Sequence, residues 1–273
     1  MVHCAEFSIL MAVYEKDSPE YLDEAMTSIW DSQELRPMQI VLVKDGKLTD
    51  ELDKVIATWS NKLGEILTIV TIEHNVGLGN ALNKGLTACK FELIARMDAD
   101  DVSLPHRFKE QIRYMLDNPE IVASSGVIDL WNESLNLKTG SRKVPTGIKN
   151  VLHFSKRRSP LNHPATVFRR SPIIGVGGYP PLRKAQDHAL WSLLVIHGYR
   201  LDNLPIVLVN MRCGKDLFKR RGVQQLKNEN ALLHYQRSIG FISFIDYCIN
   251  LGIKAFLRLS PLWCRKLLYR LAH

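Results

Sequence analysis

FELIARMDADDVS (91–103) is the stretch on which the fold of this chain turns. FELIARM has the length and apolar content of a buried strand, and directly behind it stand Asp98, Asp100 and Asp101. Three carboxylates in four residues repel one another unless water or a cation compensates, and a divalent cation is the simplest compensation. An Asp-x-Asp at a strand end suits Mg²⁺ or Mn²⁺, hard ions that take oxygen ligands and share them with substrate phosphates. The competing reading is an acidic loop that caps a helix over 105–118, with Asp101 or Ser103 as the N-cap.

Outward from this stretch, the first 130 residues alternate in period. FSILMAV (7–13), MQIVLV (38–43), ILTIVTI (66–72) and EIVASSGVI (120–128) also fit strands. Between them, 19–33, 49–63, 79–90 and 105–118 have helical spacing, with Ser18-Pro19, Thr49-Asp50 and Ser103 with Pro105 as start signals. Such βα alternation builds a mostly parallel, Rossmann-like sheet with helices on both faces, because crossovers are right-handed. Ligands of such sheets bind at the carboxyl ends of strands. Those ends carry Tyr14-Glu15-Lys16-Asp17, Lys44-Asp45-Gly46, His74-Asn75 and the acidic run at 98–101.

Two nucleotide-binding alternatives fail on spacing. NVGLGNALNKG offers Gly77 and Gly79, but Leu82 stands where a dinucleotide fingerprint needs its third glycine, and no G-x-x-x-x-G-K-[ST] occurs. The five cysteines form no C-x-x-C pair, which argues against a disulfide framework or a zinc ribbon. MVHCAEFSILMAV lacks a basic leader and is interrupted by Glu6, and no stretch is apolar enough to span a bilayer, so a cytoplasmic setting is expected.

Past residue 130 the rhythm changes. DLWNESLNLKTGSRKVP reads as two extended pieces around a turn, 186–199 as a helix, LPIVLVN as a strand, and the chain beyond Gly222 as helical. Charge divides along the same line: residues 1–149 carry a net −7 and residues 150–273 a net +15. A nucleic-acid binder is not expected to place its excess charge this way. Residues 247–273 hold five Lys and Arg and no Asp or Glu among Phe, Leu and Trp, a pattern suited to an anionic membrane surface, though Pro261 would kink such a helix.

FSILMAVYEKDSPEYLDEAMTSIWDSQ, IVLVKDG, NVGLGNALNKGL, ARMDADD, HPATVFRR and QDHALW, in this order over residues 6 to about 212, together resemble the family 2 glycosyltransferases of the GT-A fold. More closely, the chain is similar to bacterial enzymes that build lipid-linked O-antigen and exopolysaccharide repeats. The resemblance implies a catalytic domain over 1–212, with a nucleotide-binding half at 1–130 and an acceptor half at 131–212; the basic helical region over 213–273 that follows either lies on a membrane surface or packs as an ordinary helix with a basic exposed face. It implies that Tyr14 and Glu15 lie along the nucleoside and that Asp45 reads the uracil edge. Asp100 would hold the Mn²⁺ or Mg²⁺ that bridges the diphosphate, and Asp98 would reach the ribose or a metal-bound water. Asp187 matches the catalytic base; where the family often has Glu-Asp, Gln186 precedes it here.

This chemistry is physically consistent. A metal can neutralise a leaving diphosphate without a protein proton donor, and one carboxylate can receive the acceptor hydroxyl's proton as it attacks from the opposite face. Asp187 could equally cap a helix over 188–197. The Q-x-x-R-W sequence common in polymerising members is missing, which favours addition of a single sugar; Arg220 or Arg221 could clamp the diphosphate or lie in a solvated loop. His163, in Asn162-His163-Pro164, matches a segment near the acceptor, or belongs to a structural turn before ATVFRR.

The expectation is an inverting, metal-dependent hexosyltransferase, peripheral on the inner face of the cell membrane. Its donor would be a UDP-sugar, UDP-galactose or UDP-glucose by resemblance, and its acceptor a polyprenyl-diphosphate-linked saccharide. A nucleotidyltransferase is the rival enzyme, but the loop VYEKDSPEY has no glycine to wrap a triphosphate. A basic RNA- or membrane-binding module is the non-enzymatic rival.

Overall fold

The computed structural model describes residues 6–213 and 223–259. Strand β1 (Phe7–Val13) is central, and its side chains alternate between two cores. Phe7, Ile9, Met11 and Val13 pack on one face with residues of α1 (Pro19–Trp30), α2 (Asp50–Leu63) and α4 (Arg107–Asp117). Leu10 packs on the other face with α3 (Leu78–Ala88) and α7 (Gln186–Ile196). Burial on both faces explains why the strand reads as an unbroken apolar run rather than an alternating one.

Strands β1, β2 (Gln39–Asp45), β3 (Leu67–Ile72) and β4 (Leu93–Asp98) pair in parallel, as the alternation requires. Next to β4 the sheet becomes mixed. The order is β3-β2-β1-β4-β8-β6-β9-β5, with β7 on β6. The short β8 (Val167–Arg169) lies antiparallel between β4 and β6 (Ile121–Trp131), while β6 and β9 (Arg200–Arg212) run parallel. Strand β7 (Lys138–Arg142) folds back on β6 as a hairpin, and α5 (Ile148–Ser155) follows. β8 and β9 thus enter the sheet from beyond residue 131, so one sheet runs through both of the expected halves.

Of the three start signals, two hold and one does not. Ser18 Oγ accepts from the Tyr21 amide at 3.3 Å and Thr49 Oγ1 from that of Leu52 at 3.3 Å, each an N-cap. Helix α4 instead begins after His106 with no side-chain cap. Ser103 and Asp101, expected as caps, are engaged elsewhere. Val102–Ser103 form β5 against β9, and the Ser103 amide donates to Ser28 Oγ at 3.0 Å. Asp187 is not an N-cap either: the left-handed Ala185 (φ 59°) starts α7 and puts Asp187 in its first turn.

Beyond β9, α8 (Val223–Ser238) and α9 (Phe244–Leu259) dock on this unit. Gln236 Nε2 donates to Ser192 Oγ of α7 at 2.8 Å, and Asn250 Nδ2 to the Lys156 carbonyl at 3.0 Å. Leu233, Phe241 and Ile242 form a small core beneath them. No helix of the described residues is long and apolar enough to cross a membrane.

Candidate active site

Strand β4 ends at Asp98, and the turn into β5 folds the carboxylates of Asp98, Asp100 and Asp101 together, with ligand atoms within 4.8 Å of one another. The far end of β9 fixes this turn. The Arg212 amide donates to Asp101 Oδ1 at 3.0 Å, and its guanidinium reaches the Asp100 carbonyl, the Glu133 carbonyl and Glu24. It also lies over the Tyr21 ring, 4.2 Å from the centroid.

Two buried arginines offset part of the negative charge. Arg96, 2% exposed, grips Asp98 with both terminal nitrogens, Nη1 to Oδ2 at 2.5 Å. Beneath it, Arg107 donates to the Arg96 carbonyl at 2.6 Å; burial and the charge of Arg96 push its pKa down to about 9. The carboxylates remain under strain. Burial and the charge of Asp98 raise Asp100 to about 6, while burial, Asp98 and Asp100 raise Asp101 well above the usual range. Asp17, whose Oδ2 accepts from the Tyr14 amide at 2.9 Å, is raised to about 7, chiefly by burial and then by Asp100 and Asp98.

This donor set fits a divalent cation. It is all oxygen, and Asp101 Oδ2 is buried without a hydrogen-bond partner, which a bare carboxylate oxygen tolerates poorly and a metal would satisfy.

Asp187 enters from the other side on the first turn of α7, where Ser159 Oγ donates to its Oδ2 at 3.3 Å. Ser159 stands four positions before His163, so Asp187 borders the segment that carries the histidine. Tyr179 is 2% exposed and its hydroxyl meets His163 Nε2 at 2.9 Å. Edge contacts of the His163 ring with Tyr179 and Trp191 complete an aromatic wall. His163 is buried, and burial holds its pKa well below the usual value. It sits in a single turn (His163–Ala165) just before β8, where the sequence allowed either a structural turn or an acceptor contact.

At the β2 end, Asp45 is buried and both its oxygens are held, Oδ1 by the Val76 amide at 2.8 Å and Oδ2 by that of Gly77 at 3.1 Å. These amides open α3, where Gly77 (φ 84°) adopts a backbone that other residues rarely take. A groove runs between Asn75–Asn80 and Pro180–Arg183, flanking Asp45. Tyr14 and Glu15 lie exposed on the turn after β1. Arg220 and Arg221 fall outside the described residues.

The sequence reading named Asp17 only as part of the first strand's end, without a role, and left out Arg96, Tyr179, Arg142 and Arg212. Arg96 had a signal, since two residues before Asp98 on one strand it must share its face. Arg142 and Arg212 had none, because only the sheet order brings β7 and β9 to the acidic turn.

The description "Glycosyl transferase family 2" belongs to a family model that matches residues 8–173, more than half of the chain. The chain is 37% identical over 274 aligned positions to the Escherichia coli protein named UDP-Gal:alpha-D-GlcNAc-diphosphoundecaprenol beta-1,3-galactosyltransferase, covering 97% of this chain and 95% of that one. It is 36% identical to the amylovoran biosynthesis glycosyltransferase AmsE of Erwinia amylovora, with 96% and 97% covered. Among solved structures, the mannosyltransferase PcManGT of Pyrobaculum calidifontis, in complex with GDP-Man and Mn²⁺, superposes with a TM-score of 0.64 at 17% identity, over 95% of this chain and 72% of that one, a likeness of fold. A GT-A sheet with an acidic turn at the end of β4, a matching family model and full-length relatives in polysaccharide assembly lead to one conclusion: the chain belongs to glycosyl transferase family 2.

Proposed function

We propose that the chain transfers one hexosyl group, galactosyl before glucosyl, from a UDP-sugar to a saccharide carried on a polyprenyl diphosphate, with inversion at the anomeric carbon. The name of the Escherichia coli relative supports this donor and this class of acceptor. The observation that carries the chemistry is the acidic turn, whose three carboxylates offer ligand atoms within 4.8 Å of one another.

Asp98, Asp100 and Asp101 would hold Mn²⁺ or Mg²⁺, which when bound supplies the positive charge that lets a diphosphate leave. Arg96 fixes Asp98 by its two-point grip, and Arg212 fixes the turn from behind. The uridine would lie at the ends of β1 and β2, along Tyr14 and Glu15, with Asp45 held rigid at the edge of the base by the Val76 and Gly77 amides. Ser159 orients Asp187 through Oδ2 and leaves Oδ1 to receive the proton of the attacking hydroxyl. His163 braces Tyr179 on the acceptor side.

An anionic membrane surface at the inner face of the cell membrane is part of the same proposal. Ile245, Ile249, Ile253 and Phe256 of α9 are between 44% and 70% exposed and recur at helical spacing along one face. The basic run beyond Leu259 lies outside the described residues.

The test is transfer from radiolabelled UDP-galactose to N-acetylglucosamine α-linked to a lipid diphosphate. The expected product appears only with Mn²⁺ or Mg²⁺ and yields its label to a β-galactosidase. Full activity in EDTA, an α-linked product or preference for a non-uridine donor would each refute the corresponding part.

A further inference from the structure

Arg142 ends β7, and Asn162 holds it by both its main chain and its side chain. Asn162 is 1% exposed; its Oδ1 accepts from Arg142 Nε at 2.5 Å, and its Nδ2 donates to the Arg142 carbonyl at 3.0 Å and to the Gly126 carbonyl at 2.7 Å. The Ser125 hydroxyl in turn accepts from the Asn162 amide at 2.9 Å, so the whole clamp is anchored in β6. A buried amide with its hydrogen bonds satisfied therefore fixes one edge of an arginine fork. The outer edge, Nη1 and Nη2, has no ion pair or hydrogen bond among the described residues, although the side chain is exposed.

Ser159, whose hydroxyl meets Asp187 Oδ2 at 3.3 Å, stands three positions before Asn162, so one short segment touches both the proposed base and this guanidinium. Across the sheet Arg142 pairs with Ile128, Ile128 with Val209 and Val209 with Ser103, which puts it on the row that ends two residues past Asp101. Holding a cation there without an ion pair is useful if an anion arrives with the substrate, because an oriented guanidinium fork matches two phosphate oxygens. Resting on the transfer reaction above, we propose that Arg142 binds a diphosphate of the reacting pair. Its position next to Asp187 favours the diphosphate of the acceptor, whose sugar must present its hydroxyl to that carboxylate, over the diphosphate of the donor, which belongs to the acidic turn.

The test compares wild type with Arg142→Gln and Arg142→Lys on two acceptors that share one sugar, N-acetylglucosamine α-linked to a lipid diphosphate or to a neutral alkyl chain. With an acceptor diphosphate on Arg142, Arg142→Gln raises the KM of the diphosphate acceptor about ten-fold or more, as expected for losing one charge-assisted pair. It leaves the neutral acceptor and the affinity for UDP unchanged, and Arg142→Lys recovers only part of the loss. A fall in UDP affinity in Mn²⁺, with both acceptors slowed alike, assigns the donor diphosphate instead. Unchanged constants, or an equal fall in kcat on both acceptors with UDP affinity intact, overturn the proposal. Should wild type transfer to neither acceptor, it is the transfer reading that fails. Calorimetry with inorganic pyrophosphate in EDTA then decides for Arg142: weaker binding by Arg142→Gln supports the contact, and equal binding overturns it.

Discussion

Arg212 holds Asp101 by one oxygen only: its main-chain amide donates to Oδ1 at 3.0 Å, while Oδ2 is buried and unpartnered. An unpaired buried carboxylate oxygen is costly, and a cation seated with Asp98 and Asp100 would relieve that cost. Mn²⁺ is therefore expected to raise the melting temperature, and Asp100→Ala to remove both this rise and the metal-dependent part of UDP binding. Calorimetric UDP affinity in Mn²⁺ should fall about ten-fold or more on loss of such a charged contact. Unaltered affinity would exclude Asp100 as a ligand.

The effect of cation should depend on pH. Asp17 is raised to about 7 and Asp100 to about 6 from an ordinary 3.8, so each binds its proton more tightly folded than unfolded. Without metal, their contribution to stability is full below the unfolded value and disappears as pH rises through about 6 and about 7. The rise in melting temperature produced by Mn²⁺ should accordingly be larger at alkaline than at mildly acidic pH. Scanning calorimetry across that range checks the sign, and an equal rise throughout would contradict it.

Asp187→Asn keeps the size of the side chain and removes its ability to accept a proton. kcat is expected to drop by about 10²-fold or more, the usual worth of a positioned base, with UDP affinity unchanged. Ser159→Ala, which removes the hydroxyl shared between Asp187 Oδ2 at 3.3 Å and the Leu161 carbonyl at 3.1 Å, should cost far less. Steady-state kinetics beside UDP calorimetry separates the two effects, and a fully active Asp187→Asn would remove it from the mechanism.

Gly85 lies where α3 crosses the sheet. A Cβ there would stand 2.5 Å from both Leu10 Cδ1 and Val43 Cγ2. Gly85→Ala gains about 1 kcal/mol of helix propensity but forces buried side chains apart at about 1–3 kcal/mol, so a net loss is expected. In a domain of this size each lost kcal/mol lowers the melting temperature by about 2–4 °C. A melting temperature at or above wild type would show that Leu10 and Val43 can move aside.

The parallel half of the sheet was legible because its strands are buried on both faces and its helices carry local start signals at Ser18 and Thr49. The place of β8 was not. ATVFRR reads as a strand, but only the pairing of its three residues with β4 and β6 sets them antiparallel between those two. The same limit hid the capping of α4, because Ser103 satisfies the local rule for an N-cap but is drawn into the sheet by Val209 and Asn210.

What the sequence by itself determined is the acidic turn at the end of a buried strand and the order of the segments around it. A strand end and a charge cluster are properties of neighbouring residues, and backbone sterics and burial settle them locally. The tertiary structure alone decided which cations distant in sequence join Arg96 around that turn. Arg212 reaches Asp101 across 111 positions, and Arg142 is aimed by Asn162, 20 positions further along the chain. Contacts of this kind are fixed by sheet order and by the satisfaction of buried polar groups, neither of which is written in the spacing of residues along the chain.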